Sequence, residues 1–131
     1  MATILVVEDT PANQALVRKL LVAAGHEVVL AENASAGIAL ARARRPDLVL
    51  LDLGLPDMDG WEALRRIRGD DVSRDLRVVA FTAHAMVGDR ERALAAGFDG
   101  YMSKPIDFRT FAAAVEAHLH EEAPRGPRGA G

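Results

Sequence analysis

Ile4-Leu5-Val6-Val7-Glu8-Asp9 decides the architecture. Four apolar residues run without a polar interruption and stop abruptly at two carboxylates. Continuous rather than alternating apolarity predicts a strand covered on both faces, the pattern of a central strand in a parallel sheet. Leu48-Val49-Leu50-Leu51, ending at Asp52, and Val78-Val79-Ala80-Phe81, ending at Thr82, repeat it. Weaker strand candidates lie at 28–31 and 100–103.

The segments between these runs carry helical periodicity. Ala12, Leu16, Leu20 and Ala23 share one face, and the segment closes at Gly25, a residue suited to a left-handed helix end. Asn33 is placed to cap a second helix in which Ala36, Ala39, Leu40 and Ala43 are spaced for one face, with Pro46 ending it. Trp61, Leu64 and Ile67 mark a third, preceded by Asp59 as a cap or turn residue. A fourth is expected over 86–96, where Asp89, Arg90, Glu91 and Arg92 leave only a faint apolar stripe. Phe108, Phe111, Ala112, Val115 and Leu119 give a fifth, opened by Asp107. Strand and helix therefore alternate five times, which predicts a doubly wound, five-stranded parallel sheet with right-handed crossovers and helices on both faces. In such open sheets ligands bind beyond the carboxyl ends of the strands, near the reversal of strand order.

The 131 residues suit one domain, expected over 1–120. Residues 121–131, E-E-A-P-R-G-P-R-G-A-G, have no apolar face and are expected to form a disordered tail. Half the residues are apolar, which excludes disorder throughout. Sixteen basic against 19 acidic residues give a formal charge of −3, and the pI is near 5.8, so the basic footprint of a nucleic-acid binder is missing. The absence of cysteine excludes disulfides and thiolate chemistry. No apolar run approaches the roughly 18 residues of a membrane span, and the N-terminus does not read as a leader. A soluble cytoplasmic protein is expected.

Chemistry concentrates at the strand ends. Glu8 and Asp9, Asp52 and Thr82 end three strands, and Lys104-Pro105 follows a fourth; a parallel sheet projects all of them to one edge. Carboxylates about 4 Å apart repel by roughly 4 kcal/mol per pair at an effective dielectric near 20, so a cation belongs among them. Mg²⁺ suits an all-oxygen site completed by water and a substrate phosphate. Lys104 adds a movable positive charge and Thr82 a hydroxyl donor. Only two lysines occur, at 19 and 104, the other 14 basic residues being arginine. Such a group fits phosphoryl transfer, where the work is positioning and charge neutralisation.

Glu8-Asp9-Thr10-Pro11, Leu50-Leu51-Asp52 followed by Pro56, Asp59 and Gly60, Phe81-Thr82-Ala83, and Ser103-Lys104-Pro105 together resemble the receiver domain of two-component response regulators, over about 4–119. The stretches T-A-H-A-M-V-G-D and Y-M-S-K-P-I are most similar to receivers attached to hybrid histidine kinases and to stand-alone receivers of the DivK kind. The resemblance implies the flavodoxin-like receiver fold, with Asp52 accepting a phosphoryl group from a phosphohistidine on a sensor kinase or a histidine phosphotransfer protein. It implies Mg²⁺ held by Asp9, Asp52 and the backbone carbonyl of Gly54, with Glu8 acting through water. Thr82 and Lys104 would bind the phosphoryl oxygens, and the peptide before Pro105 would be cis. Tyr101 would be the aromatic switch, and output would leave by protein contact from the face of the fourth helix, fifth strand and fifth helix. Gly54 and His84 hold the positions that tune phosphoryl lifetime, His84 being expected to set it together with partners. A monomer or weak dimer that phosphorylates and dephosphorylates itself without substrate turnover is expected.

Three other readings are weighed. A nucleotide binder of the same fold needs a glycine-rich loop where Glu8-Asp9-Thr10-Pro11 stands. A Mg²⁺-dependent aspartyl phosphohydrolase wants a second acid two residues past its nucleophile, where Gly54 stands, and a cap domain. A receiver excised from a hybrid histidine kinase has the same chemistry in a different setting. Asp57 reads as plain loop; Trp61, Phe108, Phe111, Met86 and Met102 read as packing residues; His26, His118 and His120 read as solvent-facing. An ordinary half-buried strand aromatic is the lesser reading of Tyr101.

Overall fold

Strands and helices alternate as the apolar runs require: β1 (Thr3–Val7), α1 (Pro11–Ala23), β2 (Glu27–Ala31), α2 (Ala34–Arg44), β3 (Leu48–Leu51), α3 (Gly60–Arg68), β4 (Val78–Thr82), α4 (Asp89–Ala96), β5 (Gly100–Ser103) and α5 (Phe111–His120). The computed structural model describes residues 2–83 and 88–120, so Met86, His84 and the 121–131 segment lie outside the described residues. All strands are parallel in the order β2-β1-β3-β4-β5. The chain leaves β1 toward one edge and returns to β3 on the other side, so the order reverses between β1 and β3. That crevice is where an open α/β sheet can admit a ligand.

Alternate residues of the same strands feed two separate cores. Leu5, Val7, Val49, Leu51, Val78 and Ala80 pack with Ala41, Leu64, Ile67 and Phe98 on the face covered by α2, α3 and α4. Ile4, Val6, Leu48, Leu50, Val79 and Phe81 pack with Val17, Leu21, Phe111 and Val115 on the face of α1 and α5. Burial on both faces is why β1, β3 and β4 read as uninterrupted apolar runs. The edge strand β2 stays half-buried, which explains its weaker pattern. Truncating a fully buried residue such as Leu50 to alanine would remove about 2–5 kcal/mol. Among the described residues no helix is long and apolar enough to cross a membrane.

The expected caps are in place. Asn33 accepts from the Ala36 N–H at 2.8 Å, and Asp59 from the Glu62 N–H at 2.8 Å. Gly25 adopts φ +94°, and the Gly25 and His26 amides bond back to the Val22 and Leu21 carbonyls, closing α1. Trp61 meets Phe98 edge-on at 5.7 Å, in keeping with a packing role.

Several expectations need correction. Helix α2 buries Ala34, Gly37 and Ala41, while Ala39 and Ala43, expected on its core face, are exposed. The core face of α1 is Val17 and Leu21, while Ala12 and Ala23 are exposed: the bulkier side chains take the sheet and rotate the buried stripe by one residue. Helix α5 begins at Phe111, because Asp107 spends its side chain on the Arg109 amide and its carbonyl on Thr110 and Phe111, forming a preceding turn that leaves Phe108 68% exposed. His26 and His118 do not face solvent. The Ala2 N–H donates to His26 Nδ1 at 3.1 Å, leaving Nε2 to meet Glu116 at 3.1 Å, and the His118 ring lies so close to Gly100 that a Cβ there would fall 2.6 Å from it.

Candidate functional site

Pairing of β1 with β2 and β3 carries Glu8, Asp9 and Asp52 to the crevice. The Glu8 N–H continues the ladder to Ala31, and the Asp52 N–H donates to Val7 at 3.1 Å. Glu8 is fully buried, its Oε2 accepting from the Thr10 N–H at 3.0 Å, and the Gln14 side-chain amide donates to the Glu8 carbonyl. Asp9 is exposed and Asp52 almost buried. Ligand atoms of these three carboxylates lie within 4.8 Å of one another. Glu8, Asp9 and Asp52 are thus brought together as anticipated from the strand ends.

Lys104 enters from the end of β5. Its Nζ donates to Glu8 Oε1 at 2.5 Å and to Asp52 Oδ2 at 3.1 Å, and sits 5.1 Å from the Phe81 ring centre. Burial alone would lower the lysine pKa; the Glu8 hydrogen bond and the Asp52 charge more than offset it, so the ammonium is held above its ordinary range. The Lys104–Pro105 peptide is cis, and the Lys104 N–H bonds to the Thr82 carbonyl at 2.9 Å, fixing the loop beside the fully buried Thr82. The Gly54 N–H donates to Asp52 Oδ1 at 3.0 Å, so both Asp52 oxygens are oriented, one by an amide and one by an ammonium.

Formally, three carboxylates against one ammonium leave two negative charges in a crevice open on the Asp9 side. An all-oxygen donor set with that surplus fits a hard divalent cation such as Mg²⁺ and would not select a soft metal. Tyr101 lies outside this group on β5, opposite Ala80 and half-buried against the α2–α4 core; burial and then the charge of Asp89 push its phenol upward. His84 is outside the described residues.

The β3–α3 loop is tightly placed. A Cβ on Gly60 would fall 2.6 Å from Leu53 Cα and 2.7 Å from the Asp52 carbonyl oxygen, so only glycine allows α3 to start so close to Asp52. Asp57, read as plain loop, is not. Its Oδ1 accepts from the Ala34 N–H at 2.8 Å, and its Oδ2 from the Ser35 N–H at 2.9 Å and the Ser35 hydroxyl at 2.8 Å. Those donors, the Ala34 and Ser35 amides foremost, hold its carboxyl down to about 2. No local spacing announces this contact, since the partners stand 23 and 22 residues away.

Residues 4–116 match the response regulator receiver domain. The polar-differentiation response regulator DivK of Brucella anthropi is 38% identical over 117 residues, 89% of this chain and 95% of that protein. Among solved structures, the receiver domain of a sensor histidine kinase from Pseudomonas aeruginosa PAO1, with magnesium ion coordinated in the active site cleft, superposes with a TM-score of 0.81 at 33% identity, over 92% of this chain and 98% of that one. A CheY-like receiver domain protein from Methanospirillum hungatei JF-1 superposes equally well, TM-score 0.81, at 28% identity over 91% and 94% of the two chains.

Proposed function

The chain belongs to the response regulator receiver family, and from that premise we propose that it accepts a phosphoryl group from a phosphohistidine donor on Asp52, with Mg²⁺, and signals by protein contact. The observation that carries the proposal is the convergence of Glu8, Asp9 and Asp52 within 4.8 Å, bridged by Lys104. An Asp52 carboxylate oxygen forms the new P–O bond as the P–N bond to the donor imidazole breaks, and the imidazole nitrogen keeps the electron pair. Lys104, already within reach of Asp52, neutralises a phosphoryl oxygen, and the Thr82 hydroxyl donates to another. Asp9, Asp52 and the Gly54 carbonyl would hold the ion, with Glu8 acting through water. When bound, it spreads the charge of the transferring group.

The donor is a sensor histidine kinase or a histidine phosphotransfer protein. Output passes from the face of α4, β5 and α5, with Tyr101 moving inward as Thr82 follows the phosphoryl group. We read the folded unit as 1–120 and the remainder as a tail, in a cytoplasmic protein that is monomeric or weakly dimeric. A stand-alone role is supported by the DivK relative, of which this chain spans 95%. Likeness to a kinase-attached receiver favours the second reading, a receiver working within a hybrid kinase.

Intact mass spectrometry after incubation with acetyl phosphate and Mg²⁺ tests the central claim. A phosphoryl adduct on the wild type and none on Asp52→Asn is expected; equal adducts on both would overturn it. Sustained turnover of a phosphomonoester would instead favour a hydrolase.

A further inference from the structure

Helix α2 has two caps of different origin. Asn33, its own N-cap, satisfies the Ala36 amide, and the Gly37 amide begins the helical ladder on the Asn33 carbonyl. The two earlier amides, Ala34 and Ser35, are satisfied by the carboxylate of Asp57, which belongs to another segment. The amides of Ala34, Ser35 and Ala36 are thereby paired, and the contact joins the β3–α3 loop to α2. The helix is a firm post. Ala34 is fully buried, and Gly37 sits so close to Val7 that a Cβ would come within 2.7 Å of its methyl carbons. Val7 directly precedes the acidic pair Glu8 and Asp9.

The loop carrying Gly54 is held at Asp52 by the Gly54 amide and at Leu53 by the Gly60 amide, and Leu55 is sunk in the core. Asp57 adds an anchor on the side facing α2, three residues beyond Gly54. We propose that Asp57 is a positioning residue for the metal and phosphoacceptor site: by fastening the β3–α3 loop to the start of α2, it fixes the Gly54 backbone against Asp52. The inference rests on the reading in which the Gly54 carbonyl ligates Mg²⁺, yet its first consequence concerns the metal-free protein.

Asn33→Ala is the matched control, because it uncaps the same helix without touching the loop. In metal-free protein, amide hydrogen exchange at Gly54 should accelerate at least severalfold in Asp57→Ala and stay unchanged in Asn33→Ala, while both variants lose similar thermal stability. Titration calorimetry with Mg²⁺ should show affinity weakened about tenfold in Asp57→Ala, the low end for a residue that supports a ligand from behind, and little change in Asn33→Ala. Unchanged Gly54 exchange in Asp57→Ala, or equal effects of the two substitutions on exchange and on Mg²⁺ affinity, would reduce Asp57 to a helix cap and overturn the proposal. A wild type that binds no Mg²⁺ would defeat the metal reading instead, a result the exchange measurement separates from failure of the anchor. If Asp57→Ala does not fold, Ser35→Ala, which removes only the hydroxyl donor, should show the same ordering of effects at smaller size; no acceleration at Gly54 there overturns the proposal as well.

Discussion

Buried charge lies at both edges of the sheet, and the two edges use it differently. Where β4 and β5 begin, Arg68 directs all five guanidinium N–H groups into protein: to the carbonyls of Gly97, Arg74 and Leu76 and to Asp99 Oδ2 at 3.0 Å. Asp99 also accepts from the Val78 amide at 2.9 Å, and its side chain is 1% exposed. Arg68 meets Asp99, and its remaining donors are consumed by backbone. Where β1, β3 and β5 end, one lysine faces three carboxylates and the balance stays negative. The first edge ties α3, β4 and the α4–β5 connection together. The second carries a surplus of negative charge that a divalent cation fits. The two ion pairs thus differ in setting: the Arg68 donors are saturated by protein, whereas at the other end carboxylates outnumber the ammonium and Asp9 stays exposed.

Three measurements test that contrast. The largest effect is expected from Arg68→Ala, which withdraws the guanidinium from the buried Asp99 carboxylate and from the Gly97, Arg74 and Leu76 carbonyls; urea unfolding should show a loss of about 3–5 kcal/mol. Millimolar Mg²⁺ should not restore it. Lys104→Met should cost less, about 1–3 kcal/mol, since Asp9 leaves that edge open to solvent, and Mg²⁺ should recover part of the loss by replacing the missing positive charge. Equal rescue of both variants, or rescue of neither, would erase the distinction. The smallest effect is a pH dependence. The folded state holds the Lys104 pKa above its ordinary range, so the stability from that ion pair is complete below the unfolded lysine pKa and is lost as pH rises through the raised value. Arg68 does not titrate there. The difference in urea midpoint between wild type and Lys104→Met should therefore shrink at strongly alkaline pH, while that between wild type and Arg68→Ala persists; parallel curves would contradict it.

Much of the candidate site is legible in the linear sequence, because parallel strands deliver their last residues to a common edge. Once β1, β3, β4 and β5 are read from their apolar runs, Glu8, Asp9, Asp52, Thr82 and Lys104 must lie along it. What escapes are contacts away from that common edge whose partner belongs to a distant segment. Asp57 has the residue type and position of any loop acid, and becomes a helix cap only because α2 packs beside α3 and β1. His26 is a single polar residue after a glycine until Glu116, 90 positions on, closes over its Nε2. Phe108 has the right period for a helix face, but a local turn at Asp107 outcompetes the first helical turn.

The sequence by itself determined the alternation of elements, the two-sided burial of β1, β3 and β4, and the identity of the charged residues at the strand ends, because these depend on patterns spanning a few neighbours. The strand order β2-β1-β3-β4-β5, the pairing of Lys104 with both Glu8 and Asp52, the Arg68–Asp99 lock and the Asp57 anchor were decided only in the tertiary structure. A buried charge or an orphan amide takes the partner that packing brings within hydrogen-bonding distance, and distance in the chain places no constraint on which partner that is.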